Sequence, residues 1–136
     1  MGEDVASELA RSVVQLDDDW RRTQDDLDLP TVALGHLARR VIELDQTESP
    51  PDWSTLFDDV ERRLSVADAA GREILVTGFL EGLQNNSLNG GLDPARWEPL
   101  LGRTTRTAWS ALNDLWAGRM TPKKWSALMS RDIKRR

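Results

Sequence analysis

Apolar residues recur every three or four positions along almost the whole chain, and that spacing confines it to helices. Val5, Leu9, Val13, Leu16 and Trp20 step by four, four, three and four, so they share one face of a first helix. That helix is expected to stop before Pro30, because the residue preceding a proline is biased away from helical backbone. A second helix, from about Thr31, carries Leu34, Leu37, Val41 and Leu44 and is stopped by Ser49-Pro50-Pro51. A third begins near Asp52, with Trp53 in its first turn, and is expected to bury Leu56, Phe57, Val60 and Leu64. The fourth covers about residues 69–86, and its stretch Ile74–Leu80 is apolar nearly all round, which marks it as central. Gly78 and Gly82 lie one turn apart in it. A neighbouring helix is expected to approach closely there, offsetting the roughly 1 kcal/mol that a helical glycine costs against alanine.

Asn85–Gly91 reads as the clearest loop. Asp93-Pro94 and Thr121-Pro122 each combine a capping side chain with a proline at the first helical position, and open two further helices. Between them, Thr104 or Thr105 is expected to cap a helix whose buried face is Ala108, Trp109, Leu112, Leu115 and Trp116, ending at Gly118. The last helix puts Trp125, Leu128 and Met129 on one side. No alternating run bounded by hairpin turns is found. The expected fold class is therefore all-α: a single-domain bundle of six or seven antiparallel helices, with the pairs one–two and three–four placed for solenoid-like stacking. A length of 136 residues fits one domain. Residues 1–118 are expected to form it, with an acidic N-terminal half, and residues 119–136 a basic C-terminal helix or tail.

The composition removes whole classes of chemistry. Without cysteine there is no disulfide, thiolate zinc site, iron–sulfur cluster or cysteine nucleophile. His36 is the one histidine, so a multi-histidine metal site is excluded, and a structural role on the second helix is the expected one. No nucleophile–base pair, phosphate loop or metal motif is present. The chain is expected not to be an enzyme and to hold no cofactor. Neither a basic leader followed by an apolar run nor a run of about 20 apolar residues occurs, so a cytoplasmic protein without membrane contact is expected. Arginine outnumbers lysine 15 to 3, which points to a GC-rich bacterial genome.

The formal charge of −5 hides a gradient. Residues 1–61 carry a net −11, residues 62–118 are neutral, and residues 119–136 carry a net +6. An acidic body repels nucleic acid and attracts cationic proteins. Asp17, Asp18 and Asp19 are about 100° apart on a helix and cannot converge on one ion, whereas Asp17 with Arg21 and Asp18 with Arg22 are spaced to pair. Asp17, Asp18, Asp25, Asp26, Asp58 and Asp59 are the candidate contacts to a basic protein partner. At the other end, Lys123, Lys124, Arg131, Lys134 and Arg135, with Trp125 for stacking, form the candidate nucleic-acid contact. A third option is that this basic end docks on the acidic half, in the same molecule or in a neighbour; the oligomeric state stays open. Glu81, if buried, needs a cation, and Arg72, Arg103 and Arg106 are the candidates. Four of the six tryptophans, Trp97, Trp109, Trp116 and Trp125, fall in the last 40 residues; most are expected in the core, and an exposed one marks an interface.

The run Gly78-Phe79-Leu80-Glu81-Gly82-Leu83-Gln84-Asn85, followed by Trp97-x-x-Leu100-Leu101-Gly102 and then Trp109 and Trp116, resembles small helical bacterial proteins found beside polymorphic or contact-dependent toxins and taken as immunity proteins. The resemblance covers about residues 53–118. It implies a non-enzymatic protein that binds a toxin and blocks it. A toxin domain with a basic, phosphate-binding cleft would be steered onto an acidic inhibitor. The alternatives are a nucleic-acid-associated regulator acting through the basic C-terminal helix, and a self-associating adaptor.

Overall fold

The computed structural model describes residues 4–23 and 29–130. Among them are eight α-helices and no strand. They are α1 (Val5–Ala10), α2 (Val14–Thr23), α3 (Pro30–Asp45), α4 (Ser54–Val66), α5 (Ala69–Ile74), α6 (Glu81–Asn89), α7 (Arg103–Trp116) and α8 (Pro122–Met129). A π-helical segment, Leu75–Leu80, joins α5 to α6 without a break, and a 3-10 turn, Pro94–Leu100, precedes α7. Residues 69–89 are thus one long central helix. A single hydrophobic cluster runs from Leu9 and Leu16 through Leu37, Phe57 and Phe79 to Trp97, Leu112 and Met129. The all-α single-domain expectation is met.

The first expected helix is two. Ser12 breaks it: its hydroxyl and its N–H both bond to the Leu9 carbonyl, at 2.7 and 3.1 Å, and Val13 N–H bonds to Ala10. These three-residue bonds and the competing serine side chain tighten the backbone until the helix stops. The chain then turns, and the Trp20 indole donates to the Ser7 hydroxyl at 3.0 Å, holding α2 against α1. Leu9, Val13, Leu16 and Trp20 still reach the core, because the break keeps the stripe facing inward.

The central helix meets α3 at the two glycines, as their spacing predicts. A Cβ on Gly78 would lie 2.9 Å from Leu34 Cβ and 3.2 Å from Thr31 Cα; one on Gly82 would lie 3.0 Å from Ala38 Cβ and 3.3 Å from Gly35 Cα. The order of these partners shows that α3 and the central helix run in the same direction, as alternate helices of an antiparallel series do. The cause is the alternation of the chain: α4 returns between them, so the closest seam joins the second and fourth predicted helices and not sequence-adjacent pairs. The expected loop at Asn85–Gly91 also differs. α6 continues to Asn89, because Ser87 is buried accepting the Trp97 indole at 3.1 Å and the Asn86 amide bonds to the Gly82 carbonyl. Only Gly90 and Gly91 turn the chain, Gly91 with a φ of 76° that suits glycine.

α7 does not use Thr104 or Thr105 as its cap. It begins at Arg103 with Gly102 at the N-cap, where no side chain is available. The cap comes from another helix. The Glu61 carboxylate of α4 accepts from Thr104 N–H at 2.9 Å, Thr105 N–H at 2.8 Å and the Thr105 hydroxyl at 2.7 Å. It thereby satisfies two orphan donors and places negative charge at a helix N-terminus. Glycine at 102 makes room, since a Cβ there would stand 2.6 Å from Glu61 Cδ.

Candidate functional site

The acidic candidates stand in two places, on α2 and on α4, both of which pack against α1. On α2, Asp17 pairs with Arg21 at 3.1 Å and Asp18 with Arg22, as the spacing predicts, so this surface is largely neutralised. Asp19 turns inward and meets Arg40 of α3, whose guanidinium is held further above its usual range by that hydrogen bond. On α4, Asp59 lies in a chain of charges with Arg62, Arg63 and, through Arg63 at 2.8 Å, Glu8 of α1. Asp58 alone of the four described candidates is exposed with no cation in ion-pair distance among the described residues. Asp25 and Asp26 lie outside the described residues. Two exposed carboxylates that the sequence reading passed over, Glu48 and Asp52, stand just before α4, likewise without a paired cation among the described residues. Asp52 accepts from Ser54 N–H at 2.9 Å, which holds its carboxyl below the usual range. Glu48 and Asp52 flank two prolines as isolated charges; nothing in their spacing sets them apart from ordinary loop residues.

The basic candidates are divided as well. Lys123 and Lys124, in the first turn of α8, are exposed and unpaired among the described residues. Trp125 is not free to stack on a base. It is half-buried against the core, and its indole donates to Glu73 of α5. The exposed indole at this side of the molecule is Trp116, 57% exposed, beside exposed Leu115. Both were expected in the core. They fall in the last turn of α7, where no described helix covers them. α8 docks on α5 and not on the acidic half: buried Arg72 donates to the Leu128 and Met129 carbonyls at 3.2 and 2.9 Å, closing its C-terminus. Arg131, Lys134 and Arg135 lie outside the described residues. His36 is exposed on α3, away from the core.

Glu81 differs from every other carboxylate described so far. It is half-buried at the start of α6, directly after the π-helical segment. None of the expected arginines reaches it: Arg72 serves α8, Arg106 donates to the Glu98 and Leu101 carbonyls, and Arg103 is exposed with no ion pair among the described residues. No hydrogen bond or ion pair to Glu81 is found among the described residues, and burial holds its carboxyl above the ordinary range. Three residues on, Gln84 is 3% exposed; its amide nitrogen donates to Asn113 of α7 at 3.2 Å, while its buried Oε1 has no donor. No group of three or more titratable ligands placed to hold a metal ion occurs among the described residues. Nor is any described helix long and apolar enough to cross a membrane.

Residues 6–117 match a family model described as a domain of unknown function, DUF7674. The chain belongs to the DUF7674 family. The segment matched to DUF7674 takes in α1 to α7, the Glu61 cap and Glu81, and leaves out α8. No curated protein and no solved structure matches the chain.

Proposed function

We propose that this chain is a non-enzymatic binding protein that covers a cationic protein domain. The observation that supports the reading is the exposed, unpaired carboxylate of Asp58, with Glu48 and Asp52 beside the start of the same helix, on a half-chain of net charge −11. Charges without an internal partner project potential into solvent, whereas Asp17, Asp18 and Asp59 spend most of theirs on neighbouring arginines. Complementary charge chiefly speeds encounter and rejects wrong partners, and a rigid helical surface adds shape. The finer reading, an immunity protein that occludes a toxin domain in the cytoplasm, rests on the resemblance noted for residues 53–118.

The test uses the full chain as bait and the toxin-like product of a neighbouring gene as probe, with growth rescue on co-expression as the first readout. Association rate against ionic strength is the second. Wild type is expected to bind about tenfold faster at low salt than at 0.5 M, and Asp52→Asn with Asp58→Asn to flatten that dependence. Failure to bind, or a rate insensitive to both salt and the substitutions, would overturn the reading. Lys123 and Lys124 support nucleic-acid binding as the second reading, and a shift of labelled DNA or RNA at low salt would favour it.

A further inference from the structure

We infer that the anchoring point for the cationic partner is the exposed side of the seam between α3 and the central helix, where a lysine or arginine flanked by apolar side chains pairs with Glu81. This rests on the binding-protein reading but moves the contact away from the aspartates that the sequence singles out. Because Thr31 abuts Gly78 and Gly35 abuts Gly82, α3 and the central helix are in register. Val32 and His36 therefore stand level with residues 79–83, the stretch that carries Glu81. Val32 of α3, 41% exposed, and Leu88, 61% exposed and two turns beyond Glu81 on its own helix, are apolar groups left uncovered. Scattered single apolar residues need no explanation. Here they bracket a carboxylate that burial disfavours and that no cation among the described residues compensates.

Gln84, beneath the surface of the same helix, is a second polar group whose hydrogen bonding is incomplete. Glu81 and Gln84 are three residues apart and so neighbours on the helix surface. A buried amide oxygen without a donor is uncommon, and leaving one unmade typically costs 1–3 kcal/mol. An ammonium or guanidinium arriving at Glu81 brings three to five N–H donors, enough to serve the carboxylate. An anionic or purely apolar partner would leave the carboxylate unserved, so the chemistry selects a cation carried on an apolar segment. The modest cost of a partly desolvated, unpaired charge in the free protein is relieved when the partner is bound.

The test is a peptide library displayed on phage, selected against the full chain. Enriched peptides are expected to carry a lysine or arginine between apolar residues. Binding of a fluorescent copy is expected to weaken about tenfold or more with Glu81→Gln, to vanish with Glu81→Arg, and to fall likewise when the peptide's own basic residue is replaced by glutamine. The Asp52→Asn, Asp58→Asn double variant is expected to change it less than threefold. Because Glu81→Gln is nearly isosteric, unchanged helicity and an unlowered Tm separate lost contact from lost fold. Peptides that bind Glu81→Arg as well as wild type, that lack a basic residue, or that are lost only with the Asp52 and Asp58 changes would overturn the inference. The last of these leaves the acidic-surface reading standing; the absence of any enriched peptide overturns the inference, while the neighbouring-gene experiment still decides the broader one.

Discussion

Glu61 and Glu81 are the same residue type, each half-buried on a helix in the middle of the molecule, and they meet opposite fates. At Glu61 burial works against the charge, but the Thr105 and Thr104 donors outweigh it and hold the carboxyl below its ordinary range. At Glu81 burial acts alone and holds the carboxyl above it. The α4–α7 joint thus uses its carboxylate to build the fold, whereas the seam between α3 and the central helix carries one that the fold does not use. The comparison teaches that burial by itself says little about a charged group. The count of donors aimed at it decides whether it is architecture or is left over for something else.

The largest effect is expected where the seam itself is broken. Gly78→Val would drive a branched side chain into Leu34 and the Thr31 backbone, and should destabilise the fold by about 2–4 kcal/mol, read by urea denaturation. An unchanged midpoint would mean that the two helices are not held in backbone contact.

The joint comes next. Glu61→Ala strands the Thr104 and Thr105 N–H groups and should cost about 2 kcal/mol at pH 7. Because the folded carboxyl titrates below the unfolded one, its contribution is present above the unfolded pKa and is lost as the pH falls through the folded value. The gap between wild type and Glu61→Ala should therefore close in acid, and a gap that is constant with pH would refute the capping account.

The smallest effect has the opposite sign. Glu81→Gln should leave the chain as stable or a few tenths of a kcal/mol more stable at pH 7, since it removes a disfavoured charge. With a folded pKa above the unfolded one, wild type loses stability as the pH rises through that interval, and the variant does not. A marked destabilisation would show that Glu81 has a structural partner after all.

Much of this architecture can be read from the residues. The steps of three and four locate the buried faces of α3 and α4, the caps at Asp93 and Thr121 are where their prolines say, and the glycine pair marks the closest helix approach. These signals are local. What escapes is whatever depends on a residue distant in sequence. Glu61 and Thr105 are 44 positions apart, so no local pattern announces that cap, and a threonine pair before an apolar stripe reads naturally as a cap of its own. Ser87 among asparagines reads as a loop until Trp97 arrives to bury it. Of the candidate site, the pairing of Asp17 and Asp18 with their arginines was legible from spacing, but that Glu81 would be left without a cation was not. That fact depends on where Arg72 and Arg106 are drawn by the helix ends and carbonyls they serve.

The glycine seam also limits how this protein can move. With Gly35, Gly78 and Gly82 leaving backbones in near contact, sliding α3 by even one residue would force a larger side chain into a notch that has no room for it. The pair behaves as a single rigid plank, so accommodation of a visitor must come from the pieces hung on its edges. One such piece is the short leading helix, set off by the break at Ser12 and joined to its successor by the Trp20–Ser7 indole–hydroxyl bond.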